Sequence, residues 1–267
     1  MKKHLKHLLL LAVTSGLIAI QACKDQTGDV NLFSIQDDLN LGAQTAAQIE
    51  QDPTVKILDS ATNTSAYKFL YDIRTAILNS GQIIYKNEFP WRVRIIRNDT
   101  TLNAFCTPGG YIYFYTGLLK FLDSTHHLAG VMGHEMAHAD RRHSTDALTR
   151  QYGLSVLLDV VFGKDKGQLA RIAVGLKELQ YSRKAETEAD AFSVDYLYPT
   201  NYDARGAAGF FEKLIAMGQG GGTPVFLSTH PSPDNRVQAI HAKWLTLGGK
   251  VGQTYPAEYK TFKNLLP

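Results

Sequence analysis

The sequence predicts an α+β fold, mostly helical around a small β-sheet. Three observations point there. The chain has 267 residues, 44% apolar and 20% charged, enough apolar matter to bury a substantial core. From Ser124 onwards the apolar residues recur at helical spacing. Before that point, two short segments rich in β-branched and aromatic residues flank a Pro108-Gly109-Gly110 turn, as paired strands do.

The first 22 residues read as a secretory signal peptide: Lys2, Lys3 and Lys6, then an apolar run from Leu8, a break at Thr14-Ser15-Gly16, and small Ala22. Ile20-Gln21-Ala22-Cys23 resembles a lipobox, in which cleavage leaves Cys23 at the new amino end with lipid on its thiol. Residues 23–36 are polar with little periodicity and are expected to be a tether, so the domain is expected from Asp37 to Pro267. No later segment is suited to span a bilayer. The most apolar stretch, Leu154 to Phe162, is short and contains Asp159.

Within the domain, Leu39 to Gln51 and Ser65 to Asn79 have helical spacing, and Pro53 stops the first. Trp91 to Ile95 alternates apolar and basic residues as a half-buried strand, and Tyr111 to Tyr115 follows the glycine turn as a second strand. Helices are then expected over about 128–142, 144–162, 168–181, 184–198, 204–217 and 233–245. Gly163, Gly167, Pro199, Gly220-Gly221-Gly222 and Pro231 serve as breaks. The glycine run is expected to be a surface loop.

The formal charge is +3, an excess matched by the three lysines of the signal segment, so the rest of the chain is near neutral. That balance argues against a nucleic-acid partner. With two cysteines, Cys23 and Cys106, no cysteine-rich zinc module can form. Cys106 reads as a small buried hydrophobe.

Residues 134–138 read His-Glu-Met-Ala-His. Positions four apart share a helix face, so His134 and His138 can present imidazoles to one ion with Glu135 beside them, the geometry of metal-assisted hydrolysis. A catalytic zinc takes three protein ligands, so a third is needed. The metzincin continuation fails because Arg141 and Ser144 hold the required positions and His143 misses by one. The thermolysin pattern needs a glutamate about twenty residues on, where Leu158 and Asp159 stand. Glu186 and Asp190, four apart on a predicted helix, offer a carboxylate to ligate and another to hold a ligating imidazole. Glu188 is expected to point elsewhere, solvated or ion-paired. His126, His127 and His241 lack a carboxylate at helical spacing within the same motif and read as surface or core residues.

Those motifs, with Asn103-Ala104-Phe105, Pro108 to Ile112, Thr116 to Leu119, and Ser228-Thr229-His230-Pro231-Ser232 with Arg236, resemble a known zinc metallopeptidase family. It includes HtpX and the CAAX-prenyl endopeptidases, and the resemblance is greatest to its lipoprotein and periplasmic members, the group of LoiP, YcaL and BepA. The resemblance spans roughly Leu39 to Ile240. It implies a zincin-like domain with one Zn²⁺ on His134, His138 and Glu186, Glu135 as general base and acid, and Asp190 behind a ligand. It implies Asn103 and Ala104 on an edge strand that receives extended substrate, and His230 near the metal as a reversible ligand or charge stabiliser. Arg236 is implied in structural or charge support. The expected function is an envelope endopeptidase acting on unfolded or misassembled proteins. The alternative is a latent member that binds envelope proteins or aids their assembly.

Overall fold

The computed structural model describes residues 33–176, 179–218, 225–230 and 235–267. The expectations for the signal segment, Cys23, most of the tether and the glycine run fall outside the described residues. Among the described residues the compact unit runs from Phe33 to Pro267. Phe33 is buried, and α1 (Ile35–Gln51) starts on a capping box in which Ser34 and Asp37 satisfy one another's backbone amides.

Helix α2 (Thr64–Leu78) leads to a three-stranded sheet of β1 (Arg92–Ile96), β2 (Ala104–Thr107) and β3 (Tyr111–Tyr115). The order is β1-β3-β2. β1 runs parallel to β3 with Val93 opposite Ile112, and β2 runs antiparallel with Cys106 opposite Ile112. The alternation in β1 appears as Val93 and Ile95 inward with Arg92 and Arg94 half-buried. The outer side of β1 is covered by residues 56–58, since Leu58 N donates to Ile95 O and Arg97 N donates to Lys56 O. That leaves β2 as the edge with no further strand beside it among the described residues.

The helical portion comprises α3 (Thr116–Phe121), α4 (Thr125–Asp140), α5 (His143–Tyr152), α6 (Leu154–Val161), α7 (Lys166–Leu176), α8 (Arg183–Leu197), α9 (Gly206–Gly218), α10 (Val225–Thr229), α11 (Arg236–Thr246) and α12 (Pro256–Lys263). The helix expected over 144–162 is divided at Gly153, whose φ of +81° belongs to the left-handed region that glycine tolerates. α7 is described to Leu176 and residues 179–182 are not helical, so the helix does not reach the expected 181, and α3, α10 and α12 are too short for periodicity to reveal. Among the described residues no helix is long and apolar enough to cross a membrane.

The core is organised on α4, which is buried from Leu128 to Asp140 on every side. Two glycines make this possible. A Cβ on Gly130 would lie 2.0 Å from Ala207 N, and one on Gly206 would lie 1.8 Å from His126 O, so α4 and α9 touch backbone to backbone. Gly133 faces Ser193 of α8. The far end of α4 is pinned by Asp140, which accepts from Tyr85 N at 2.9 Å and Ile84 N at 3.2 Å, and from the Tyr196 hydroxyl of α8 at 2.7 Å.

Candidate metal centre

With α4 and α8 held together, residues distant in the chain converge. His134 and His138 of α4, Glu186 of α8 and His230 just beyond α10 place one potential ligand atom each within 4.8 Å of one another, all buried. His134 Nε2 is 3.0 Å from His138 Nε2 and 3.3 Å from His230 Nδ1. Glu186 Oε1 is 3.3 Å from His138 Nε2 and 3.1 Å from His230 Nδ1, and its Oε2 is 3.4 Å from His134 Nε2. Ligands about 2.0–2.1 Å from a tetrahedral zinc lie about 3.3 Å apart, so this set of three imidazoles and one carboxylate has the spacing and chemistry of a zinc site.

Two of the donors, Glu186 and His138, are held in the ionisation state that a metal needs. Burial would raise Glu186, but the imidazoles of His230 and His138 hold its carboxyl well below the usual range. Burial drives His138 well below its usual value, keeping it neutral. An anionic carboxylate and a neutral imidazole are the forms a metal needs. His134 is opposed by burial but raised to about 9 by its bonds to Asp190 and Glu186.

Behind these donors, Asp190 Oδ1 is 2.9 Å from His134 Nδ1. Arg236 grips Asp190 with two bonds, Nε to Oδ2 at 2.5 Å and Nη2 to Oδ1 at 2.9 Å, and reaches Glu186 Oε2 at 2.8 Å. Its guanidinium lies 4.0 Å over the Phe211 ring. Glu135 is fully buried next to the cluster, with Oε1 3.4 Å from His230 Nε2. Burial pushes its carboxyl up, and neither oxygen has a hydrogen-bond partner among the described residues. Orphaned carboxylate oxygens are rare in a folded interior.

Ala104 opens the edge strand and Asn103 precedes it, both buried. The chain around α10 lies across this edge: Phe226 N donates to Leu102 O at 3.1 Å, and Thr229 Oγ1 bonds Asn103 Oδ1 at 3.4 Å. Tyr181 N donates to Thr229 O at 3.3 Å, which fastens α10 to the approach to α8.

The remaining candidates lie apart from the cluster. His126 and His127 occupy the first turn of α4, and His241 is 3.8 Å from Glu212 on the surface. Cys106 is buried on β2, and burial pushes its thiol up, so it is no nucleophile at neutral pH. Glu188 is ion-paired, its Oε1 accepting from Arg141 Nε at 2.7 Å. Sequence reasoning passed over His143, whose Nδ1 is 3.0 Å from His138 Nδ1, and Tyr181, whose ring stacks on His138 at 3.8 Å. A histidine five places after His138 was visible, but the kink that turns it back was not.

Residues 73–243 match Peptidase family M48. The chain is 37% identical over 151 residues to the mitochondrial metalloendopeptidase OMA1 of Arabidopsis thaliana, covering 56% of this chain and 31% of that protein. It is 26% identical over 246 residues to the metalloprotease YcaL of Escherichia coli strain K12, covering 87% of this chain and 95% of YcaL. It is 28% identical over 238 residues to the beta-barrel assembly-enhancing protease of Yersinia pestis, covering 82% of this chain and 49% of that protein. The chain thus spans about a third of the plant relative and half of the Yersinia one. With its zincin-like α+β fold and its buried cluster of three histidines and a glutamate, the chain belongs to peptidase family M48, metallopeptidases that hydrolyse peptide bonds.

Proposed function

We propose that this protein is a zinc-dependent endopeptidase of the cell envelope that cleaves unfolded or misassembled proteins. The observation that carries the reading is the convergence of His134, His138 and Glu186, with Glu135 buried beside them and without a hydrogen-bond partner among the described residues. The three would hold the ion, which when bound supplies Lewis acidity and brings the pKa of a water towards neutrality. Glu135 receives the proton of the attacking water and passes it to the leaving amine, a cycle suited to a carboxyl that burial has raised. Asp190 fixes the tautomer of His134, and Arg236 neutralises the carboxylate pair. The edge of β2, from Asn103 and Ala104, takes extended substrate by backbone hydrogen bonds once α10 withdraws, a mode suited to chains without folded structure.

The envelope assignment rests on the signal-like first 22 residues and on similarity to proteins such as the beta-barrel assembly-enhancing protease. A lipid on Cys23, a tether and a peptidase domain to Pro267 complete the proposed layout. The test is purified protein assayed for zinc and for casein cleavage, before and after chelation. Glu135→Gln is expected to keep zinc and lose cleavage, and full turnover by that variant would remove the assignment.

A second reading, a latent metallopeptidase that serves envelope proteins by binding, is favoured by one observation. His230 fills a fourth donor position and the site is closed from solvent. It expects wild type to be silent and His230→Ala to release cleavage, whereas steady wild-type turnover excludes it.

A further inference from the structure

The two α4 imidazoles of the cluster are supported differently. His134 has the carboxylate of Asp190 on its outer nitrogen, but the outer nitrogen of His138 faces another imidazole, with His143 Nδ1 at 3.0 Å. His143 is 3% exposed, and its far nitrogen, Nε2, lies 3.7 Å from Glu188 Oε2. Glu188 is held in turn by Arg141, whose guanidinium lies 4.5 Å over the Phe192 ring.

The backbone builds this arrangement. α4 ends at Asp140, Arg142 adopts a left-handed φ of +61°, and α5 restarts at His143, so the ring is folded back onto α4. A non-glycine residue in that region costs energy and persists where surroundings fix it. Here Arg142 Nε bonds Asp38 Oδ2 at 2.5 Å, and Thr145 Oγ1 bonds Asp38 Oδ1 at 2.6 Å, tying both sides of the kink to α1. Tyr181 stacks on His138 with rings 20° apart and donates to or accepts from Ser144 at 2.9 Å, which limits rotation of the His138 ring.

Facing Nδ1 atoms 3.0 Å apart leave room for one proton between the two rings, and the chain of tautomers runs one of two ways. In one, His138 Nδ1–H donates to His143 Nδ1. His138 Nε2 then offers its lone pair to the cluster, and His143 carries its proton on Nε2, towards Glu188. In the other, His143 Nδ1–H donates to His138. That puts a proton on His138 Nε2, only 3.0 Å from His134 Nε2, and turns a bare lone pair on His143 towards the Glu188 carboxylate. The carboxylate favours the first arrangement and disfavours the second.

We propose that His143 and Glu188 are positioning residues that hold His138 in its metal-binding tautomer, so that Glu188 tunes zinc affinity through two imidazoles. The proposal rests on the zinc reading above and extends it to a second support on the opposite side of the cluster from Asp190. Loss of such supports typically lowers metal affinity 10- to 100-fold.

The test is zinc affinity of the purified chain by competition with a chromogenic chelator, with melting of the metal-free proteins measured in parallel. His143→Leu is expected to bind zinc about 10- to 100-fold more weakly. His143→Asn, whose side-chain carbonyl can accept where Nδ1 did, is expected to recover most of the affinity. Glu188→Gln, which keeps size and removes charge, is expected to weaken binding about tenfold and serves as the deciding variant if His143→Leu does not fold. ¹⁵N spectra of labelled histidine in the metal-free proteins give a readout that packing loss would not move: His138 protonated at Nδ1 in wild type, and a mixture of tautomers in Glu188→Gln. Equal zinc affinity in wild type and Glu188→Gln, with unchanged His138 tautomer, overturns this proposal and leaves the zinc site standing. Failure of wild type to bind zinc better than His138→Ala overturns both.

Discussion

Asp190 Oδ1 stands 2.9 Å from His134 Nδ1 while the same carboxylate is clasped by two nitrogens of Arg236. One buried guanidinium therefore balances two buried acids, since it also reaches Glu186. Burial would lower Arg236, but Asp190 and Glu186 together raise it, so it stays charged.

Removing that cation leaves carboxylates stranded in the core. Arg236→Ala is expected to destabilise the fold by about 3–5 kcal/mol, the usual cost of breaking a buried pair. Arg236→Lys restores the charge without the two-pronged geometry and should recover part of it. Urea unfolding of the chelated proteins measures both, and an unchanged midpoint for Arg236→Ala would contradict the role.

Zinc held by His134, His138 and Glu186 would join α4 to α8, so it should stabilise the native state by mass action. At free zinc about a thousandfold above Kd the gain is about 4 kcal/mol, or roughly 10 °C in Tm for a domain of this size. Calorimetry with and without chelator checks this. No shift, with zinc content confirmed, would mean that the ion sits elsewhere.

Gly130→Ala would drive a methyl group to 2.0 Å from the backbone of Ala207. Neither helix can yield by a rotamer change, so a loss of about 3 kcal/mol is expected, the upper end for overpacking. Because relieving the clash with α9 would also shift α4 and its two histidines, zinc affinity should fall with stability. Chemical denaturation and chelator competition on the same sample test the coupling.

Acid should weaken the fold from the other end of α4. Burial, then the nearby His126, lowers His127 to about 4, and burial also lowers His126. His127 Nδ1 has no hydrogen-bond partner among the described residues. A histidine depressed in the folded state binds its proton more readily when unfolded, so stability is full above about pH 6.5 and falls as pH drops towards 4. His127→Gln is expected to flatten the Tm against pH curve in that window. A curve as steep as wild type would show that the slope arises from other groups.

What the sequence determined is local. Four-residue spacing put His134 with His138 and Glu186 with Asp190 on common helix faces, because the α-helix repeats every 3.6 residues whatever surrounds it. Alternation exposed β1 for the same kind of reason, the two-residue period of a strand. The resemblance to a known family added His230 and Arg236, which no local period could supply. What only the tertiary structure decided is contact between segments. It set which of the two imidazoles Asp190 supports, namely His134. It also decided that Glu188 turns to Arg141 and His143, and that the chain at Arg142 bends far enough to bring His143 back to His138. The break at Gly153, a positive φ between α5 and α6, was likewise not marked by apolar spacing. Periodicity is a property of the backbone's own geometry, whereas these contacts depend on helices closing at Gly130, Gly206 and Gly133, where the absence of a side chain lets distant backbones meet.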